Sequence, residues 1–117
     1  MDKLDTIFDM QKKLNDYIIE KRGLQSVTKE EWLQKHTLAM LSEMGEMLDE
    51  VNFKWWKNPK PLDEKAIGYE LVDILHFLVS MFLAAGLNAD DVMKIYLDKN
   101  EENLKRQDGK SEKEGYA

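Results

Sequence analysis

Cysteine is absent from the 117 residues and proline occurs only twice. Without a thiol there is no disulfide scaffold, no thiolate zinc or iron–sulfur centre and no cysteine nucleophile. Glycine is also scarce, with 6 residues, so little interrupts the helix-period pattern of the chain. Positive charge is in deficit: 17 Lys and Arg stand against 23 Asp and Glu, a formal net charge of −6. The resulting pI near 4.9 argues against a broad DNA- or RNA-binding surface, but not against a small phosphate ligand whose partner metal ions offset local carboxylates. No signal peptide is visible, because Met1-Asp2-Lys3-Leu4-Asp5 carries acid where such a segment carries base and then a long apolar run. The most apolar stretch, Ile74 to Leu87, is 14 residues long and contains His76 and Ser80, fewer than the roughly 20 needed to span a bilayer. These absences predict a soluble, cytoplasmic, single-domain chain with neither membrane nor nucleic-acid polymer as partner.

What remains is helical periodicity, and the fold class expected is all-α, an antiparallel four-helix bundle. Leu4, Ile7, Phe8, Leu14 and Ile18 share one stripe of a first helix that Gly23 stops. Thr28 caps a second helix, and Glu31 completes a capping box. That helix places Leu33, Leu41, Met44, Leu48 and Val51 on one face, closes in Lys54-Trp55-Trp56-Lys57, and must end by Asn58-Pro59-Lys60-Pro61. A third helix runs from about Asp63 to Ala85, with Gly86 as its C-terminal cap, and Asn88 caps a fourth reaching about Arg106. Residues 1–106 make the domain, and Gln107 to Ala117 are expected to form a mobile polar tail.

Four acids stand at helical spacing. Glu43 and Glu46 are three apart on the second helix, as are Glu70 and Asp73 on the third, so each pair projects from one face. Gathered on packed helices, the four would repel one another and resist desolvation, a conflict that oxygen-seeking Mg²⁺ resolves. On the second helix alone, an outward charged face that includes Glu50, opposite Leu41, Met44, Leu48 and Val51, explains the pair better. The third helix is apolar nearly all round from Leu71 to Leu87, which predicts burial, and a buried Asp73 without a basic neighbour favours a metal. A di-iron site would need Glu-x-x-His motifs, and neither His36 nor His76 follows a Glu by three.

Other polar residues sit out of place. Gln11 and Asn15 interrupt the stripe of the first helix, either as satisfied buried amides or as a donor–acceptor pair for a nucleobase edge. Trp55 and Trp56 point about 100° apart on a helix, which leaves one of them free to act as a stacking wall beside Lys57. Lys99, Asn103 and Arg106 share a face of the fourth helix with Asn100 beside them, while Glu101–Lys105 and Glu102–Arg106 have the spacing of ordinary ion pairs. Gly45, between Met44 and Glu46, costs a helix interior roughly 1 kcal/mol relative to Ala, which close approach of a helix or ligand would justify.

Glu-x-x-Glu, a gap of 23 residues and Glu-x-x-Asp resemble the metal-binding pattern of the all-α NTP pyrophosphatases, the group of MazG-like enzymes, dimeric dUTPases and dCTPases. Phe53-Lys54-Trp55-Trp56-Lys57, Val72-Asp73-Ile74-Leu75-His76-Phe77, and the stretch from Tyr96 to Gln107 followed by Gly115-Tyr116 resemble the dimeric dUTPase branch. Met10-Gln11-x-x-Leu14-Asn15 suits the start of that family as well. The resemblance implies Glu43, Glu46, Glu70 and Asp73 as ligands of two or more Mg²⁺ ions, with Glu43 orienting or deprotonating the attacking water. It implies a uracil pocket lined by Gln11, Trp55, His76 and Asn100, with Lys57, Lys99, Asn103 and Arg106 serving sugar or phosphate. The activity implied is hydrolysis of a deoxynucleoside triphosphate, dUTP first and dCTP or another nucleotide as the alternative, by a homo-oligomer that is at least a dimer. A helical dimerisation or regulatory module without catalysis is the alternative of another class. The span between the acidic and C-terminal motifs is shorter than is usual in that branch, which allows a partner chain to complete each pocket.

Overall fold

The computed structural model describes residues 1–112 and contains four α-helices, with no strand among the described residues. They are α1 (Lys3–Arg22), α2 (Lys29–Glu50), α3 (Glu64–Ala84) and α4 (Ala89–Gln107). The all-α class therefore holds. The chain divides into two compact units, Met1–Gly86 and Leu87–Ala117, so α1 to α3 form the first and α4 belongs to the second.

Side chains explain most helix ends. Asp2 and Asp5 close a reciprocal capping box at the start of α1, and Gly23 ends that helix in the left-handed region at φ 65°. Thr28 accepts from the Glu31 amide at 3.2 Å. The Glu31 carboxylate accepts from the Thr28 hydroxyl at 3.1 Å rather than from the cap backbone, so the expected box is only half formed. Asp63 caps α3, and past its end Gly86 takes φ 84°. Asn88 and Asp91 form a full box on α4.

The second helix stops earlier than its tryptophans. Asn52 adopts a left-handed φ of 57°, and its side chain pairs with both backbone groups of Lys60, donating at 2.9 Å and accepting at 3.0 Å. Asn tolerates that conformation better than most residues. The bridge turns the chain out of the helix and closes a loop over residues 52–60. Trp55 and Trp56 accordingly sit in that loop, edge to face at 4.6 Å, not on two faces of a helix.

Within the first unit α2 and α3 pack antiparallel. Glu43 meets Glu70 near the loop, while Thr37 meets Met81 toward the other end. Phe8 of α1 stacks on Phe82 of α3, and Val79 is the most deeply buried apolar side chain, 1% exposed.

Two expectations about faces are reversed. Leu41, Met44, Leu48 and Val51 are exposed, whereas Glu43 and Glu50 on the other side of α2 are half-buried. α3 is not enclosed either: Leu71, Val72, Leu75 and Leu78 are exposed, and so is Asp73. Counted as a whole helix of 21 residues, α3 is long and apolar enough to cross a membrane by length and composition, although its apolar core stretch alone is too short. It carries Glu70 and Asp73 and packs against two other helices, the position of a core helix.

In the second unit the expected ion pairs form, Glu101–Lys105 at 3.7 Å and Glu102–Arg106 at 3.4 Å. The described part of the tail folds back toward α4. Gly109 turns the chain at φ 69°, and the buried Ser111 donates to Glu102 at 2.6 Å. Gly115 and Tyr116 lie outside the described residues.

Candidate active site

The i, i+3 spacing on α2 aims Glu43 and Glu46 at α3, where Glu70 lies opposite. One carboxylate oxygen from each of the three falls within 4.8 Å of the others. Glu43 Oε2 and Glu70 Oε2 are buried and accept no hydrogen bond from the protein. Among the described residues the ion pairs all lie elsewhere. A proton shared with Glu46, followed by burial and the repulsion of Glu46, pushes the Glu43 carboxyl up to about 7. Burial raises Glu70 too, against the opposing effect of its bond with Glu43. Asp73, one turn beyond Glu70, stands outside the three-residue cluster, but its charge adds to the upward push on both Glu43 and Glu70.

Buried carboxylate oxygens without a hydrogen-bond partner, in a cluster of acids, are costly without a cation. The donor set is all oxygen and strongly anionic, which suits Mg²⁺ or a similar hard divalent ion. The residues present therefore fit the metal implied by the acidic motif.

A second feature lies between α1, α2 and α3. A cleft of about 470 Å³ has apolar walls that include Trp32, His36 and Phe77, and a polar floor of Gln11, Asn15 and Ser80. Trp32 and His36 stack with ring centroids 5.1 Å apart and planes at 17°, and the Phe77 ring lies 6.2 Å from His36. Burial lowers the His36 pKa below its ordinary 6.5. Lys12 and Asp16, also lining the cleft, neutralise each other at 2.6 Å.

The floor is a hydrogen-bonded chain. His76 Nδ1 bonds to Gln11 Oε1. Gln11 Nε2 donates to Asn15 Oδ1 at 3.0 Å, and Asn15 Nδ2 donates to Ser80 Oγ at 3.0 Å. Ser80 in turn donates to the His76 carbonyl at 2.7 Å. The out-of-place amides of α1 are thus both satisfied internally and exposed to a cleft, so the two readings of Gln11 meet in one arrangement.

Of the residues singled out in the sequence, Glu43, Glu46 and Glu70 come together, with Asp73 adjoining, and Gln11 joins His76. Trp55 is 85% exposed and does not line the cleft. Lys57 is also exposed and lines a smaller hollow with Asp49, Asn52, Lys54 and Lys60. Lys99, Asn100, Asn103 and Arg106 lie on α4 in the second unit, where Arg106 bonds Asn103 at 3.4 Å. Trp32, His36, Phe77 and Ser80 were not anticipated. Their signal was present: Trp32 and His36 are i, i+4 on one helix, and Ser80 interrupts the apolar run of α3.

Comparisons with known proteins bear on the family of the chain. A family model described as dUTPase matches residues 3–88. The chain is 35% identical over 88 residues to a dCTP pyrophosphatase of Enterobacteria phage T4, covering 63% of this chain and 52% of that protein. It is 33% identical over 75 residues to a dCTP pyrophosphatase of Enterobacteria phage LZ5, covering 64% and 44% respectively. A DNA replication protein of phage T4 matches at 33% identity over 60% of this chain and 21% of its own length. The chain thus spans about half or less of the curated relatives it matches. No solved structure matches it.

Proposed function

The chain belongs to the dUTPase family, and from that membership we propose that it hydrolyses a deoxynucleoside triphosphate to the monophosphate and pyrophosphate. The observation that carries the reading is the convergence of Glu43, Glu46 and Glu70 with two buried, unpartnered oxygens. Together with Asp73 they would hold Mg²⁺, two or more ions by the family resemblance. When bound, such ions supply positive charge for the triphosphate and lower the pKa of water. Glu43, with a free Oε2, is assigned to accept the proton of the attacking water.

The cleft beside Gln11 is assigned to the base. Trp32, His36 and Phe77 supply flat apolar walls, and the amides supply donors and acceptors along one edge. Remaining substrate contacts are assigned to Trp55, Lys57 and His76 in the first unit and to Lys99, Asn100, Asn103 and Arg106 in the second. dUTP is the preferred substrate in this reading. A second reading, dCTP, is favoured by the names of the two phage relatives.

The proposed working form is a homo-oligomer of at least two copies, because the exposed stripes of α2 and α3 are apolar; its proposed location is the cytoplasm. The test is pyrophosphate release from dUTP, dCTP, dTTP and purine triphosphates, with and without Mg²⁺, on wild type and Asp73→Asn. Mg²⁺-dependent release from a pyrimidine nucleotide that falls at least 100-fold in Asp73→Asn is expected (about 2.7 kcal/mol of transition-state stabilisation). No release from any nucleotide would leave the non-catalytic helical module as the reading.

A further inference from the structure

Ser80 lies on α3, 2% exposed, one turn beyond His76 and at the end of the amide chain on the cleft floor. It has one hydroxyl proton, and that proton goes to the His76 carbonyl at 2.7 Å, the usual back-bond of a helical serine. Its oxygen can therefore only accept from α1, and it does so from Asn15 Nδ2 at 3.0 Å. Asn15 must then turn its Oδ1 toward Gln11, whose Nε2 donates to it. Gln11 is left with Oε1 facing His76, which must carry its proton on Nδ1. Each bond dictates the sense of the next, and the serine hydroxyl is the only member whose direction is set by backbone.

We infer that Ser80 is the positioning residue that sets the orientation of the Gln11 and Asn15 amides, and through them which pyrimidine edge the cleft accepts. The inference rests on the proposed nucleotide hydrolysis. Uracil presents N–H and C=O where cytosine presents N and NH₂, so an amide held one way round pairs with one of them and opposes the other. With Ser80 removed, Asn15 loses the group that distinguishes its oxygen from its nitrogen. Both amides can then turn over together, and His76 can move its proton to Nε2. A cleft with amides of both senses reads both bases.

The experiment compares wild type, Ser80→Ala and Ser80→Thr, which keeps the hydroxyl. The His76 tautomer is read from ring ¹⁵N shifts in the nucleotide-free protein, and kcat/KM is measured for dUTP and dCTP. In wild type His76 is expected as the Nδ1–H form, with a clear preference for one base. Ser80→Ala is expected to mix the tautomers and shrink that preference about tenfold, in whichever direction it runs, and Ser80→Thr to restore both. Should Ser80→Ala fail to fold, Ser80→Cys keeps the volume while weakening both bonds. A pure Nδ1–H form in the folded hydroxyl-free variant, or an unchanged dUTP:dCTP ratio, overturns the inference. If wild type hydrolyses no nucleotide, the proposed function and the base-choice part of the inference fall together. The tautomer comparison then still decides whether Ser80 orients the amides.

Discussion

At the scale of single residues, the carboxylate cluster makes a prediction in which stability and activity move in opposite directions. Glu43 sits against Glu46 and Glu70 and is held protonated to about pH 7 by their company and by burial. Glu43→Gln removes one of the mutually repelling charges while keeping shape and a polar head. In EDTA the variant should melt a few degrees higher than wild type above about pH 7, where Glu43 ionises, and Mg²⁺ should raise its Tm less than it raises that of wild type. Its turnover should fall at least 100-fold in the nucleotide assay. Calorimetric scans in the two buffers decide it, and a variant less stable than wild type in EDTA would mean that the acids are not in conflict. His36 supplies a pH dependence from the other feature. Its pKa is depressed below 6.5 by burial, so the unfolded chain takes up a proton before the folded chain does. The contribution of neutral His36 is full above 6.5 and is lost as pH falls through the lower folded value. Tm should drop more steeply between about pH 7 and pH 5 in wild type than in His36→Phe, which keeps a ring against Trp32 but cannot titrate. Parallel Tm curves for the two proteins would discard this role.

At the scale of elements, caps and breakers were legible and faces were not. Gly23, Thr28, Gly86 and Asn88 stand where the helices start or stop, because a cap is a local event between residues a few positions apart. Periodicity says that α2 has an apolar stripe and an acidic one, but not which of them faces α3. Hydrophobicity alone favours the leucines, and the structure half-buries Glu43 and Glu50 instead, with Glu46 exposed. In the proposed function a bound cation would offset that inversion, and Glu43, which breaks the pattern, would be one of its ligands. Spacing in the sequence found Glu43, Glu46 and Glu70 as a set. It could not bring Ser80 to Asn15, which are 65 residues apart and meet only through the packing of α1 on α3. The loop after α2 escaped for a similar reason: the bridge from Asn52 to Lys60 skips eight positions. Asn52→Ala should lose both bonds and the tolerance for a left-handed φ, and cost about 2 kcal/mol in urea unfolding. Asn52→Gly keeps the backbone freedom and should cost less. Equal losses in the two variants would show that the bonds alone hold the loop.

At the scale of the whole molecule, the decisive quantity is the apolar surface that the unit of α1 to α3 leaves uncovered. Leu41, Leu48, Leu71 and Leu75 are 55%, 40%, 50% and 38% exposed, and they belong to stripes along α2 and α3 rather than to scattered positions. Buried apolar surface stabilises by about 25 cal/mol per Å², and a stripe of this kind on a soluble monomer is a standing cost in aggregation. Gly45 lies on the α2 stripe between Leu41 and Leu48, and a Cβ built there meets nothing within 4 Å in its own chain. Within a monomer, Gly45→Ala should therefore stabilise by up to about 1 kcal/mol through helix propensity. Against a closely packed second copy the added methyl, and still more the side chain of Gly45→Leu, should clash and weaken association. Light scattering on wild type should give a multiple of 13.7 kDa at micromolar concentration. Leu41→Lys with Leu48→Lys should return it to that mass, because a paired interface would then bury several unpartnered charges. Gly45→Leu should shift the equilibrium the same way without adding charge, which separates lost complementarity from repulsion. A wild-type mass of 13.7 kDa, with Gly45→Ala simply raising Tm, would mean that the stripe is not an interface between copies.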